Sequence, residues 1–233
     1  MIKIEYIWLD GYTPEPNLRS KIKVIEGGIP DLSKVPEWNF DGSSTKQAEG
    51  YSSDGILKPV RLYREINSND KVYVLCEVMN PDGTPHESNH RHMLGDEVND
   101  MWFGFEQEYF IQEGISKPIL GFNRPHVEGQ GKYYCGVGSN VVGRELVEEH
   151  MDLCLNMGIE IAGVNAEVAL GQWEYQVFAK GKIKAGDDLW MSRYLMEKLS
   201  EKYGYHINYH PKPITSGDWN GSGLHTNFST KKM

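Results

Sequence analysis

Residues 102–111 read WFGFEQEYFI. In a β-strand successive side chains point to opposite faces. Phe103, Phe105, Gln107, Tyr109 and Ile111 therefore share one face, and Trp102, Gly104, Glu106, Glu108 and Phe110 share the other. Two carboxylates two residues apart on one face repel each other unless a cation sits between them. Mg²⁺ or Mn²⁺ would answer that need, because hard divalent ions prefer oxygen ligands. An isolated E-x-E is also the pattern of a half-exposed strand with a wet acidic face, since single carboxylates are mostly solvated.

Three further stretches bear on that choice. Residues 164–178, VNAEVALGQWEYQVF, read as two strands joined around Leu170 and Gly171. An even-length loop centred there predicts Glu167 directly opposite Glu174, with Cβ atoms about 5 Å apart. Like charges so placed are destabilising without a counter-ion, although a Glu paired with a distant Lys or Arg gives the same pattern. Residues 217–230 read GDWNGSGLHTNFST. Gly221 and Gly223 permit a tight path at φ > 0 in which backbone N–H groups face an anion. A strand then begins near Leu224, with His225, Asn227 and Ser229 on one face and Leu224, Thr226 and Phe228 on the other. A neutral imidazole can join a carboxylate site, and Asn and Ser can bind phosphate oxygens. A glycine-rich turn feeding an ordinary strand has the same composition. The remaining histidines, including His86, His90 and His92, read as structural. Residues 38–45, WNFDGSST, carry turn chemistry at Asp41-Gly42-Ser43 and by themselves suit a surface loop.

The chain has 233 residues, 39% hydrophobic and 24% charged, which suits one large domain or a small one joined to a larger. A net charge of −9 argues against sequence-independent nucleic-acid binding, which needs clustered Lys and Arg on the phosphates. Cys76, Cys135 and Cys154 form no CxxC and read as free thiols of a reducing compartment. No apolar run is long enough to span a membrane, and the first residues lack the pattern of a signal peptide, so a cytoplasmic protein is expected. The Asn227-Phe228-Ser229 triplet is accordingly not read as a glycosylation site.

Strands are expected at residues 3–9, 21–25 and 71–78, split by prolines, glycines and the polar stretch 39–53, in a small mixed or antiparallel sheet. The Pro81-Asp82-Gly83 turn suits a boundary. A helix is expected over 144–157, where Leu146, Val147, His150, Met151, Cys154 and Leu155 recur at helical spacing and Gly158 ends the run. Asp187 or Asp188 can cap a second helix with Trp190, Tyr194, Leu195 and Leu199 on its face and Gly204 at its end.

Taken in order, WNFDGSST, WFGFEQEY, NAEVALGQWEYQ and GDWNGSGLHTNFS resemble the glutamine synthetases of the eukaryotic-like, shorter-chain type. PHESNHRH at 85–92 and YYCGVG at 133–138 also look like segments of that family, so the resemblance covers nearly the whole chain. It implies an α+β protein with a small N-terminal β-grasp domain, residues 1–85. A catalytic α/β domain with a curved, mainly antiparallel sheet, of the glutamine synthetase/guanido kinase-like kind, follows over residues 86–233. It implies ATP-dependent ligation of ammonia to L-glutamate through γ-glutamyl phosphate. It also implies subunits in decamers of two pentameric rings, with active sites between neighbours. Glu108, Glu167 and Glu174 match the ligands of one Mg²⁺ or Mn²⁺, and Glu106 and His225 match ligands of a second that bridges the ATP phosphates. Glu106, Glu174, Tyr175, Gln176, Asn227, Phe228 and Ser229 match nucleotide contacts. Glu108, Glu167, Trp219, Asn220 and Gly221 match the glutamate site. Asp41 matches the aspartate that reaches a neighbouring site and helps bind and deprotonate ammonium.

The pattern also departs from the family. It breaks off at Met233, before the segment expected to carry phosphate-clamping arginines, a last carboxylate ligand and a flap glutamate, so the catalytic sheet is expected to be incomplete at the C-terminus with an exposed edge. The stretch between His92 and Trp102 is short, and residues 213–218 hold one extra position. Two other functions remain in play: a non-catalytic metal- and nucleotide-binding relative, and a carbohydrate-binding β-protein that stacks sugars on its six Trp and thirteen Tyr.

Overall fold

The computed structural model describes residues 1–28 and 30–233. They form two compact units: residues 1–97 with 156–158, and residues 98–155 with 159–233.

The first unit is built on two strands that are largely buried on both faces. β1 (Ile2–Leu9) and β5 (Lys71–Met79) are buried along nearly their whole length, as expected of central strands. They pair in parallel, with Ile4 beside Val72 and Tyr6 beside Val74. β2 (Leu18–Ile25), β3 (Trp38–Asp41) and β4 (Asp54–Tyr63) complete a mixed sheet in the order β2-β1-β5-β4-β3. One face carries Ile2, Ile4, Tyr6, Trp8, Phe40, Leu57, Val72, Val74, Cys76 and Val78 as a contiguous core. On the other face Glu5 is 2% exposed and Lys71 neutralises it at 2.7 Å. A buried carboxylate needs such a partner, because ionised burial alone is prohibitive.

Two strands here escaped the sequence reading. β3 overlaps the stretch read as polar loop, and β4 contains Pro59. Proline has no N–H for the ladder, and the β4–β5 register shifts between Pro59 and Arg61 to accommodate it.

The second unit is an antiparallel sheet with helices on one side. β6 (Met101–Gln112), β7 (Ile161–Ala166), β8 (Gln172–Lys180) and β10 (Leu224–Thr230) stand in the order β10-β6-β8-β7, and β9 (His206–Asn208) pairs with the far end of β6. α1 (Arg144–Asn156) buries Leu146, Val147, His150 and Cys154, the apolar stripe legible in the sequence. α2 (Lys182–Tyr203) starts earlier than the aspartate caps suggest. Gly181 precedes it, whereas Asp187 and Asp188 lie buried inside the helix, with Asp188 held by Lys184 one turn back. That ion pair replaces the capping role. Gly204 ends the helix in the left-handed conformation, and its N–H bonds back to Ser200 and Glu201 carbonyls.

Tyr109, Ile111, Trp173, Tyr175 and Val177 are all under 3% exposed and alternate along β6 and β8 with Glu108, Gln172, Glu174 and Gln176, except that buried Phe110 stands between Tyr109 and Ile111. The sheet therefore has one buried apolar face and one polar face, as the period-two pattern requires. All three cysteines are free thiols, two of them buried. Among the described residues, no helix is long and apolar enough to cross a membrane.

Candidate active site

The polar face of the second unit gathers the acids. Antiparallel pairing of β6 with β8 sets Glu108 directly opposite Glu174 and Glu106 opposite Gln176. Pairing of β10 with β6 sets His225 opposite Glu106 and Asn227 opposite Gly104. His225 Nδ1 lies 3.3 Å from Glu106 Oε2, and its Nε2 lies 3.8 Å from Glu108 Oε1. Asn227 Nδ2 donates to Glu106 Oε1 at 3.0 Å. Three strands thus bring one imidazole and several carboxylates to a common surface.

Glu167 reaches this surface by a different register from the one expected. Glu174 faces Asn165, while the Glu167 N–H donates to the Gln172 carbonyl at 2.9 Å. The hairpin closes through a four-residue loop, 168–171, in which the Gln172 N–H bonds to the Ala169 carbonyl and Gly171 takes φ +79°. Glu167 is therefore a diagonal neighbour of Glu174. Its side chain is held by Asn165 Nδ2 at 2.9 Å and the Val168 N–H at 3.2 Å.

Electrostatics mark the crowding. Burial raises the Glu167 carboxyl pKa, and the charges of Glu108 and Glu174 add to the shift. Burial likewise raises that of Glu108, with Glu174 contributing, against the lowering effect of the Gly223 N–H and of His225. Both carboxyls thus resist ionisation where they stand, and a cation placed among them relieves that resistance. Among the described residues, Glu106, Glu174 and His225 offer one ligand atom each within 4.8 Å of one another. An oxygen-rich set with one imidazole fits a hard or borderline divalent ion.

The 217–223 turn borders this face. Its glycines work differently from the expectation: neither Gly221 nor Gly223 has positive φ, and Gly217 does, at +80°. Gly221 is required by close approach instead, since a Cβ there would meet the Pro211 carbonyl oxygen at 2.7 Å. The Gly223 N–H does face an anion, donating to Glu108 Oε2 at 3.2 Å. Trp219 packs against Phe122 with ring centroids 5.3 Å apart, and the Asn220 N–H donates to Gln130 Oε1 at 2.6 Å.

Not every candidate joins the cluster. The Tyr175 side chain lies on the opposite, apolar face beside His150, and Phe228 stands 62% exposed on the edge strand. Gln176 shares the acids' face and donates to Glu174 Oε1 at 3.0 Å. Ser229 follows on β10 opposite Trp102. Asp41 belongs to the first unit, at the end of β3, where Ser43 and Ser44 hydroxyls bond its two oxygens and lower its pKa.

Sequence reasoning missed Gln172 and Gln107. Gln172 Nε2 donates to Glu108 Oε2 and to the Gly221 carbonyl, each at 3.1 Å. Gln107, under the sheet, accepts from Arg193 of α2. The period-two series Gln172, Glu174, Gln176 held the signal for the first.

Comparison with known proteins agrees with this architecture. Residues 1–81 match the family model of the glutamine synthetase β-grasp domain, and residues 88–233 match that of the glutamine synthetase catalytic domain. The chain is 55% identical to a glutamine synthetase of Bradyrhizobium diazoefficiens over 99% of its own length and 68% of the relative's. With one of Rhizobium meliloti it shares 50% identity over 98% of this chain and 70% of the other. A glutamine synthetase of Plasmodium falciparum solved by cryo-electron microscopy superposes with a TM-score of 0.76 at 15% identity, covering 99% of this chain and 51% of that one. This chain therefore spans about two thirds of the length of these curated relatives and half of the solved structure, and it belongs to the glutamine synthetase family.

Proposed function

We propose that this chain carries the metal- and nucleotide-binding part of a glutamine synthetase site, and that its protein ligates ammonia to L-glutamate with ATP, through γ-glutamyl phosphate. The observation that carries the reading is the convergence of Glu106, Glu108, Glu174 and His225 from three adjacent strands. Both ATP and glutamate are anions, so four glutamates beside them make sense as holders of Mg²⁺ or Mn²⁺. A bound divalent ion supplies neutralisation of charge on the moving phosphoryl group. Glu108, Glu167 and Glu174 would hold one ion and Glu106 with His225 another; Glu174, placed between the two groups, has geometry for either.

The chain's own residues do the rest by positioning. Asn227 and Ser229 offer polar side chains for phosphate oxygens, beside the backbone of Phe228, and the backbone of Tyr175 with Gln176 lines the same route for the nucleotide. The 219–221 turn, stiffened by Gln130 and Phe122, is the seat for the amino acid. Asp41, with a lowered pKa, stays anionic and suits an ammonium cation. Family membership also supports ring-shaped homo-oligomers.

Calorimetric titration with ADP in the presence and absence of Mn²⁺, beside a glutamine-formation assay, tests the reading. Nucleotide affinity should depend on Mn²⁺ and be lost in Glu174→Ala. Unchanged affinity in that variant counts against the assignment. Metal-dependent binding without turnover identifies the non-catalytic relative instead.

A further inference from the structure

Gln172 is 1% exposed and sits at the first position of β8, opposite Phe110. Its amide nitrogen spends both protons on different structures. One goes to Glu108 Oε2 in the acid cluster and the other to the Gly221 carbonyl in the 217–223 turn, each at 3.1 Å. Both partners are acceptors, so the amide orientation is fixed by chemistry. The Gln172 backbone carbonyl accepts from the Glu167 N–H, which ties a third site residue to the same position. Glu108 is also bonded to the turn by its own backbone N–H, to the Gly223 carbonyl at 3.0 Å, and by Oε2 from the Gly223 N–H. Among the described residues, Gln172 Oε1 is buried without a hydrogen-bond partner. A side chain kept for packing alone would not carry that cost.

We infer that Gln172 is a positioning residue that couples cation binding at Glu108 to the order of the 219–223 turn. The inference rests on the metal reading above and deepens it. A cation drawn to Glu108 fixes the carboxylate in one rotamer. Through the shared amide, that rotamer fixes the Gly221 carbonyl, and with it the turn that seats the amino acid. By linkage the effect is reciprocal: a ligand that orders the turn tightens the cation. Outer-shell hydrogen bonds of this kind commonly change metal affinity by tenfold or more when removed.

Hydrogen exchange by mass spectrometry on the 219–223 peptide, with and without saturating Mn²⁺, tests this, together with Mn²⁺ titration. In the wild-type chain Mn²⁺ should slow exchange of that peptide by about fivefold or more. Gln172→Met keeps the volume and removes the donors. It should weaken Mn²⁺ binding by about tenfold and abolish the Mn²⁺-dependent protection even at saturation. Gln172→Leu, which also lacks the donors and adds no charge, should do the same and covers the case in which the Met variant does not fold. A wild-type turn indifferent to Mn²⁺, or variants that melt lower yet keep full Mn²⁺-dependent protection, would overturn the coupling. A wild-type chain that binds no Mn²⁺ overturns the metal reading and the coupling with it.

Discussion

Glu108 and Glu174 stand directly opposite each other in the β6–β8 ladder, each held by an amide nitrogen, from Gln172 and Gln176 respectively. Opposed like charges destabilise a sheet by a few tenths to about 1 kcal/mol per pair. The pair is a standing cost of the metal-free fold. Glu108→Gln should therefore raise the melting temperature in EDTA, by an amount equivalent to about 1 kcal/mol, while weakening Mn²⁺ binding. Added Mn²⁺ should reverse the order of stability of the two proteins. A variant less stable than wild type in EDTA contradicts this.

The hairpin that brings Glu167 beside Glu174 depends on Gly171. At φ +79°, an added Cβ would lie 2.8 Å from both the Leu120 carbonyl oxygen and Ile119 Cγ2. Gly171→Ala should cost about 1–3 kcal/mol in denaturant unfolding. It should weaken Mn²⁺ binding as well, because the loop sets the register of Asn165 on Glu174. Unfolding midpoints within error of wild type would remove the strain argument.

Glu197 gives a pH signature remote from the acids. It lies half-buried on α2, and burial, with the charge of Glu201, pushes its pKa up to about 7 against the favourable charge of Arg193. Tyr209 beyond β9 also faces it. Between about pH 4.5 and 7 the folded chain keeps a proton that the unfolded chain releases. The folded state binds more protons, so this group's contribution falls as pH rises. Glu197→Gln should stabilise the protein at pH 8, on the order of 2 kcal/mol, and change little at pH 4. Thermal melts across pH 4–8 check this; an equal shift at both ends contradicts it.

The residues that alternate strictly were legible. Period two along 102–111 gave the two faces of β6, and the stripe of Leu146, His150 and Cys154 gave α1, because one side of each element is buried and the other is wet. The Glu167–Glu174 register was not, because the loop is centred between Ala169 and Leu170, one residue before the Leu170-Gly171 centre that the sequence suits. The start of α2 was hidden because Asp187 and Asp188, cap-like residues, are buried within it. β4 was masked by Pro59. Gln172 carries no charge, and its importance arises from two partners 64 and 49 residues away in sequence. Nothing local announces such contacts.

Diffraction from crystals grown with Mn²⁺, collected at the manganese absorption edge, tests the site most directly. An anomalous peak should lie on the polar sheet face within about 2.5 Å of oxygens from Glu106 or Glu174, or of a His225 ring nitrogen. Manganese bound solely elsewhere, with these side chains left to solvent, would contradict the assignment of this face as a cation site.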